Sequence, residues 1–123
     1  MSIYKKLDEA PISLEQDPHG KDPHQPGAKL DAGKARTWLC IGGFSRALTE
    51  VAEVTTKGAV KYTPNGWVDV PDGSDRYMDA AFRHLMAVGQ GELIDADTGC
   101  LHKAQAAWNL LASLELDLRK AQS

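Results

Sequence analysis

From Leu101 to Arg119 the chain reads LHKAQAAWNLLASLELDLR, a run whose apolar residues recur at helical spacing. Projected at ~100° per residue, Ala104, Ala107, Trp108, Leu111, Leu114 and Leu118 cover more than half of the circumference. A helix this apolar has to be covered, either by other helices of the chain or by a second copy of it. One narrow polar stripe interrupts the apolar surface, formed by His102, Gln105, Asn109 and Ser113 with Leu116 beside it. An unpaired buried polar group costs ~1–3 kcal/mol, so this stripe needs partners. It reads as the wall of a polar pocket, against the plainer reading of a seam of core hydrogen bonds or a subunit contact.

Two more helical segments precede it. Ser45 caps one that runs to about Val60, and Asp75 caps one from Arg76 to about Val88. A shorter start lies near KLDAGKARTWLCI, with Asp31 as N-cap and Trp38, Leu39 and Ile41 as anchors, before Gly42-Gly43 breaks the chain. YTPNGWVDVPDGSD and GQGELIDADTG are turn-rich connections. No β-type alternation is sustained, so the fold is expected to be all-α, a small helical bundle. Residues 1–28 read as a flexible arm, because DPHGKDPHQPG resists helix and strand alike. A single domain is expected over 29–123. His19 and His24 lie in the arm with nothing nearby to complete a metal site.

The net charge of −3 argues against a duplex nucleic-acid binder, which normally carries a basic face. Cys40 and Cys100 stand outside any CxxC pair, so a zinc knot is not expected, and reduced thiols in a cytoplasm fit better than a single disulfide. No apolar run reaches membrane-spanning length and no signal-peptide core is visible, so no membrane partner is expected.

The helix faces carry the candidate chemistry. Ala47, Val51, Val54 and Gly58 share one side of the first long helix, while Glu50, Glu53 and Lys57 lie on the other with Arg46. Arg46–Glu50 and Glu53–Lys57 are i,i+4 pairs of the kind a solvated helix uses. On the second, Met78, Ala81, Phe82 and Leu85 oppose Arg76, Asp79 and Arg83, with His84 at the boundary. A carboxylate between two arginines suits either a surface ion network or a metal ligand flanked by phosphate clamps. DADTG echoes a calcium loop, but its glycine comes one position early and no glutamate closes it at the proper distance, so an EF-hand is not expected. Glu92 and Asp95 in that loop repeat an ExxD spacing, and Asp97 or Thr98 can cap the last helix.

Taken together, KLDAGK, GAVKYTPNGW, RYMDAAFRHL, GELIDADTG and AAWN resemble the phage dATP/dGTP diphosphohydrolase N-terminal family. That family is similar to the all-α NTP pyrophosphatases of the MazG type, whose signature is ExxE followed by ExxD on an antiparallel helix. Glu50 and Glu53 match the first half. Arg76 and Asp79 stand at the second, with arginine in place of the expected glutamate, so the resemblance leaves a fourth ligand to His84, Glu92 or Asp95. It implies Mg²⁺ or Mn²⁺ as cofactor and hydrolysis of a purine deoxynucleoside triphosphate to monophosphate and pyrophosphate. The MazZ-type enzymes of phages that use 2-aminoadenine imply dGTP, with GTP and dATP as further candidates.

On this reading Glu50 or Glu53 is the general base, and Glu50, Glu53, Asp79, Glu92 and Asp95 are the metal ligands to consider. Lys34, Lys57, Lys61, Arg76 and Arg83 bind phosphates, with His84 beside them. Trp67 and Tyr62 offer aromatic faces to the purine, and Asp31, Asn65 and Asn109 offer hydrogen bonds to its edge. Trp67 as a turn anchor and Asp31 as a helix cap are the competing structural readings. A homodimer or homotetramer is expected to cover the last helix. The alternatives are an HD-type triphosphohydrolase using His84 and His102, and a non-catalytic helical interaction module.

Overall fold

The computed structural model describes residues 15–122 and is helical, with no strand among them beyond one isolated bridge between Ile94 and Leu101. The helices are α1 (Thr37–Gly43), α2 (Ser45–Lys61), a 3₁₀ turn (Gly66–Asp69), α3 (Gly73–Gly89) and α4 (His102–Gln122). The all-α expectation holds, and each long helix falls where the apolar period placed it. No described helix is long and apolar enough to cross a membrane.

The chain forms two compact units, one up to Gly43 and the other from Phe44 onward. In the first, residues 15–36 are turns organised by Asp17, which is only 8% exposed. Its carboxylate accepts from the amides of His19 at 2.7 Å, Lys29 at 2.8 Å and Lys21 at 3.3 Å. Residues 1–14 of the expected arm lie outside the described residues.

The Lys29 amide, foremost, holds the Asp17 carboxyl below the ordinary aspartate value, against the opposing effect of burial. A depressed folded-state pKa means that its stabilisation is complete above the unfolded pKa, near 3.9. The stabilisation is lost as pH falls through the lower folded value. The His19, Lys21 and Lys29 amide resonances are therefore expected to titrate together, with a midpoint below that of free aspartate. Asp17→Ala should release all three.

In the second unit α3 and α4 pack along their lengths, while α2, whose one buried side chain is Val51, rests on α4 more lightly. The buried apolar side chains are small: Ala81, Ala104, Ala106 and Ala112, with Val51 and Cys100. Small residues let the two helix backbones approach closely. Several large ones stay outside, with Phe82 54%, Met86 62%, Leu111 51% and Leu114 46% exposed.

Three expected helix starts are corrected. Asp31 caps nothing, because α1 begins only at Thr37. Ser45 is the first helical residue, preceded by Phe44, which makes no side-chain cap. Asp75 sits inside the first turn of α3, where its charge suits the helix dipole, and the chain enters from Asp72 at φ +54.

α3 ends in a Schellman motif. Gly91, at φ +90, donates to the Val88 carbonyl at 2.9 Å, and Glu92 donates to Ala87 at 3.0 Å. A Cβ at Gly91 would meet nothing, so the cost of Gly91→Ala is that of the left-handed backbone alone, about 1–2 kcal/mol. A thermal melt should show a lowered Tm, and Gly91→Asn should recover part of the loss.

Candidate functional site

Glu50 and Glu53 on α2 and Asp79 on α3 are exposed, and none makes a hydrogen bond or ion pair among the described residues. The i,i+4 pairs read from the sequence do not form. Lys57 instead reaches the Thr98 carbonyl at 2.9 Å, tying α2 to the loop before α4. Arg76 donates to the Pro71 carbonyl at 3.1 Å, not to Asp79. Three carboxylates therefore stand free of cationic partners on neighbouring helices. α2 and α3 do not pack side by side, and no group of three ligating atoms within 4.8 Å includes Glu50, Glu53 or Asp79 among the described residues.

The ligating side chains that do converge are His84, Asp95 and His102, from α3, the loop and the first residue of α4. The loop folds back on itself to achieve this. Asp95 donates its amide to the Cys100 carbonyl at 2.9 Å, and His102 donates to Leu93 at 2.9 Å. Asp95 Oδ1 accepts from the Asp97 amide at 2.9 Å and Oδ2 from Gln105 Nε2 at 3.2 Å. Asp97 and Thr98 do not cap α4; Thr98 Oγ1 accepts instead from the Cys100 amide at 3.1 Å, inside the loop.

His84 and His102 face each other with their Nδ1 atoms 2.8 Å apart. His102 Nε2 is buried and lies 3.2 Å from Glu92 Oε1, out of line for a hydrogen bond, and has no other partner. Burial, foremost, and then the His102 and Arg83 charges push the His84 pKa below its ordinary value, with Asp95 opposing. At Asp95 burial acts to raise the pKa. The Asp97 amide, the Gln105 amide and the two imidazoles outweigh it and hold the carboxyl low. Both shifts favour the metal-ready forms, neutral imidazole and charged carboxylate.

Thus Glu92 and Asp95, expected beside Glu50 and Glu53, gather with His84 elsewhere. His102 is the member absent from the predicted set. Its signal was its place at the head of the polar stripe on α4.

That stripe is a hydrogen-bonded seam and not a pocket wall. Gln105 bonds Asp95, Asn109 Nδ2 donates to the Gln105 carbonyl at 2.8 Å, and Ser113 Oγ donates to the Ser74 carbonyl at 2.9 Å. Ser74 also reaches Asp117 at 2.6 Å. Asn109 is 8% exposed, with its Nδ2 held by the Gln105 carbonyl.

Trp67 matches the turn-anchor reading. Its ring meets Tyr77 at 6.4 Å and Trp108 at 5.9 Å, both edge-on, and Arg119 lies over it at 5.6 Å. Asn65 starts the 3₁₀ turn in a left-handed conformation at φ +61 and is exposed. Lys61 stands 5.3 Å from the Tyr62 ring, and Arg83 is exposed. In the first unit Lys34 pairs with Glu15 at 2.8 Å, and both Asp31 and Lys34 line an open cleft of about 620 Å³. Cys40 and Cys100 are both free thiols.

Residues 24–123 match the family model described as dATP/dGTP diphosphohydrolase, N-terminal. No curated protein and no solved structure matches the chain.

Proposed function

The chain belongs to the dATP/dGTP diphosphohydrolase N-terminal family, and from that premise we propose that it hydrolyses a purine deoxynucleoside triphosphate, dGTP first, to the monophosphate and pyrophosphate. The observation that carries the reading onto this chain is the set of three solvent-facing carboxylates, Glu50, Glu53 and Asp79, none engaged by a cation. A carboxylate that only decorates a wet helix gains from its i,i+4 lysine or arginine. Here Lys57 and Arg76 are turned elsewhere, which leaves the oxygens available.

Their donor chemistry fits a hard dication, since Mg²⁺ and Mn²⁺ prefer carboxylate oxygens. When bound, the ion neutralises the triphosphate and positions the attacking water. Glu50 or Glu53 accepts that water's proton as its oxygen bonds phosphorus. The bond between the α and β phosphates breaks, and pyrophosphate leaves with the electron pair. Lys61, Arg76 and Arg83 hold the phosphates, and Lys57 joins them by exchanging the Thr98 carbonyl for a phosphate oxygen. Tyr62, 73% exposed, offers the stacking face, and Asn65 a hydrogen bond to the base edge. The monophosphate would supply 2-aminoadenine nucleotide synthesis in a phage-infected cytoplasm.

The exposed Phe82, Met86, Leu111 and Leu114 support a homodimer or homotetramer, because burial of apolar surface stabilises association by about 25 cal/mol per Å². Light scattering after size exclusion should give a mass at least twice that of the 13.3 kDa chain; a monomer at micromolar concentration would contradict the assembly.

The activity is tested by incubating the protein with dGTP, dATP, GTP and dCTP under Mg²⁺ or Mn²⁺ and resolving products by ion exchange. Monophosphate and pyrophosphate in equal amounts are expected, with dGTP the best substrate. Tripolyphosphate and nucleoside would instead make the enzyme a triphosphohydrolase. No turnover of any nucleotide would leave a binding module.

A further inference from the structure

We propose that His84, Asp95 and His102 bind one first-row transition-metal dication of zinc-like, borderline character, at a site separate from the carboxylates of α2 and α3. The donor set selects the class of ion. Two imidazole nitrogens and one carboxylate oxygen suit zinc, iron, cobalt or nickel, whereas Mg²⁺ takes oxygen ligands and dehydrates reluctantly.

The geometry fits such an ion. All three ligating atoms lie within 4.8 Å of one another. The two Nδ1 atoms are 2.8 Å apart. With metal–nitrogen bonds of about 2.1 Å in a tetrahedral zinc site, two donors stand ~3.4 Å apart, so the rings have to part by about half an ångström to admit the ion. Without an ion, two lone-pair-bearing nitrogens at this distance have to share a single proton.

An independent observation comes from the far side of His102. The residue is only 6% exposed, and its Nε2 is buried without a hydrogen-bond partner, 3.2 Å from Glu92 Oε1. Coordination through Nδ1 fixes the proton on Nε2, and a small turn of the exposed Glu92 side chain would bring its carboxylate into line to accept it. That is the carboxylate–histidine–metal arrangement by which outer groups orient a ligand. Asp95 is fixed in the same way, with one oxygen held by the Asp97 amide and the other by Gln105.

The ion would add a direct link among α3, the 90–101 loop and the head of α4, beside the hydrogen bonds that His102 and Gln105 already make to the loop. The loop in turn holds Lys57, one helical turn beyond Glu53, through the Thr98 carbonyl. Occupancy is therefore expected to slow amide exchange across residues 93–101.

The test is a long-range proton–nitrogen NMR spectrum of the four imidazoles, recorded with excess Mg²⁺ and then with one equivalent of Zn²⁺. Mg²⁺ alone should leave the His84 and His102 ring nitrogens unmoved, and Zn²⁺ should shift both while sparing His19 and His24. Asp95→Asn, whose amide oxygen can still accept from Asp97, should weaken Zn²⁺ by more than the roughly 10–100-fold typical of outer-shell changes. His84→Gln, at a half-buried position, should do the same with the amide spectrum intact. Unmoved His84 and His102 nitrogens, or a Zn²⁺ affinity in both variants equal to that of the unmodified protein, would overturn the site. The readout does not depend on turnover, so failure here and failure of the hydrolase reading are separable.

Discussion

Glu53→Gln is expected to remove nucleotide hydrolysis, lowering kcat by about 10²–10⁴-fold, the range that a positioned general base contributes. Asp79→Asn should be as damaging, because it takes away the charged oxygen donor that α3 contributes. Neither change should disturb the fold. Both carboxylates are exposed and bond to nothing among the described residues, and surface substitutions of that kind usually fall within about 0.5 kcal/mol. The combination is diagnostic: unchanged circular dichroism and Tm beside lost turnover assigns the side chains to chemistry. Wild-type rates in both variants would return Glu53 and Asp79 to the solvent, and with them the carboxylate reading of this family member.

The largest effect on stability is expected from Ala81→Leu. Ala81 is 1% exposed on α3, and α4, the helix on which α3 chiefly packs, buries Ala104, Ala106 and Ala112. No large side chain is fully buried among the described residues, and Ala81 is nearly sealed, so three added carbons there have to be taken up by displacing its neighbours. Overpacking of this kind costs about 1–3 kcal/mol. For a domain near this size each kcal/mol moves Tm by roughly 4–8 °C. The helices also share the Ser74–Ser113 hydroxyl contact at 2.9 Å, which separating them would stretch. A thermal melt measures the loss directly; an unchanged Tm would mean that α3 and α4 do not approach as closely as their alanines allow.

The helices were legible because their apolar residues recur at 3.6-residue spacing, and α4 most of all. GQG after Val88 also reads correctly as an ending, since Gly91 takes the left-handed position that a Schellman motif requires. What the pattern cannot supply is the identity of the neighbour. Spacing places His102, Gln105, Asn109 and Ser113 on one stripe, but their partners, His84, Asp95 and Ser74, come from another helix and a folded loop. The stripe was thus legible as needing partners, and the pocket reading failed because α3 and the loop supply them.

Helix starts failed for a local reason. Asp72 enters α3 with positive φ and no side-chain cap, which no capping pattern encodes. The Glu53–Lys57 pair on α2 failed because a loop carbonyl, that of Thr98, competes for Lys57. Glu50, Glu53 and Asp79 were singled out by a family resemblance together with their helix faces. Their isolation from cations became visible only once Lys57 and Arg76 had found other partners.

The central claim is that this chain splits a purine deoxynucleoside triphosphate between its α and β phosphates with a hard dication. Phosphorus NMR of dGTP with the protein and Mg²⁺, followed before and after addition of EDTA, tests it most directly. The account predicts dGMP and pyrophosphate resonances growing in equal amounts and stopping when the metal is chelated. A dGTP spectrum that stays unchanged with Mg²⁺ and with Mn²⁺, or one that yields tripolyphosphate, would contradict it.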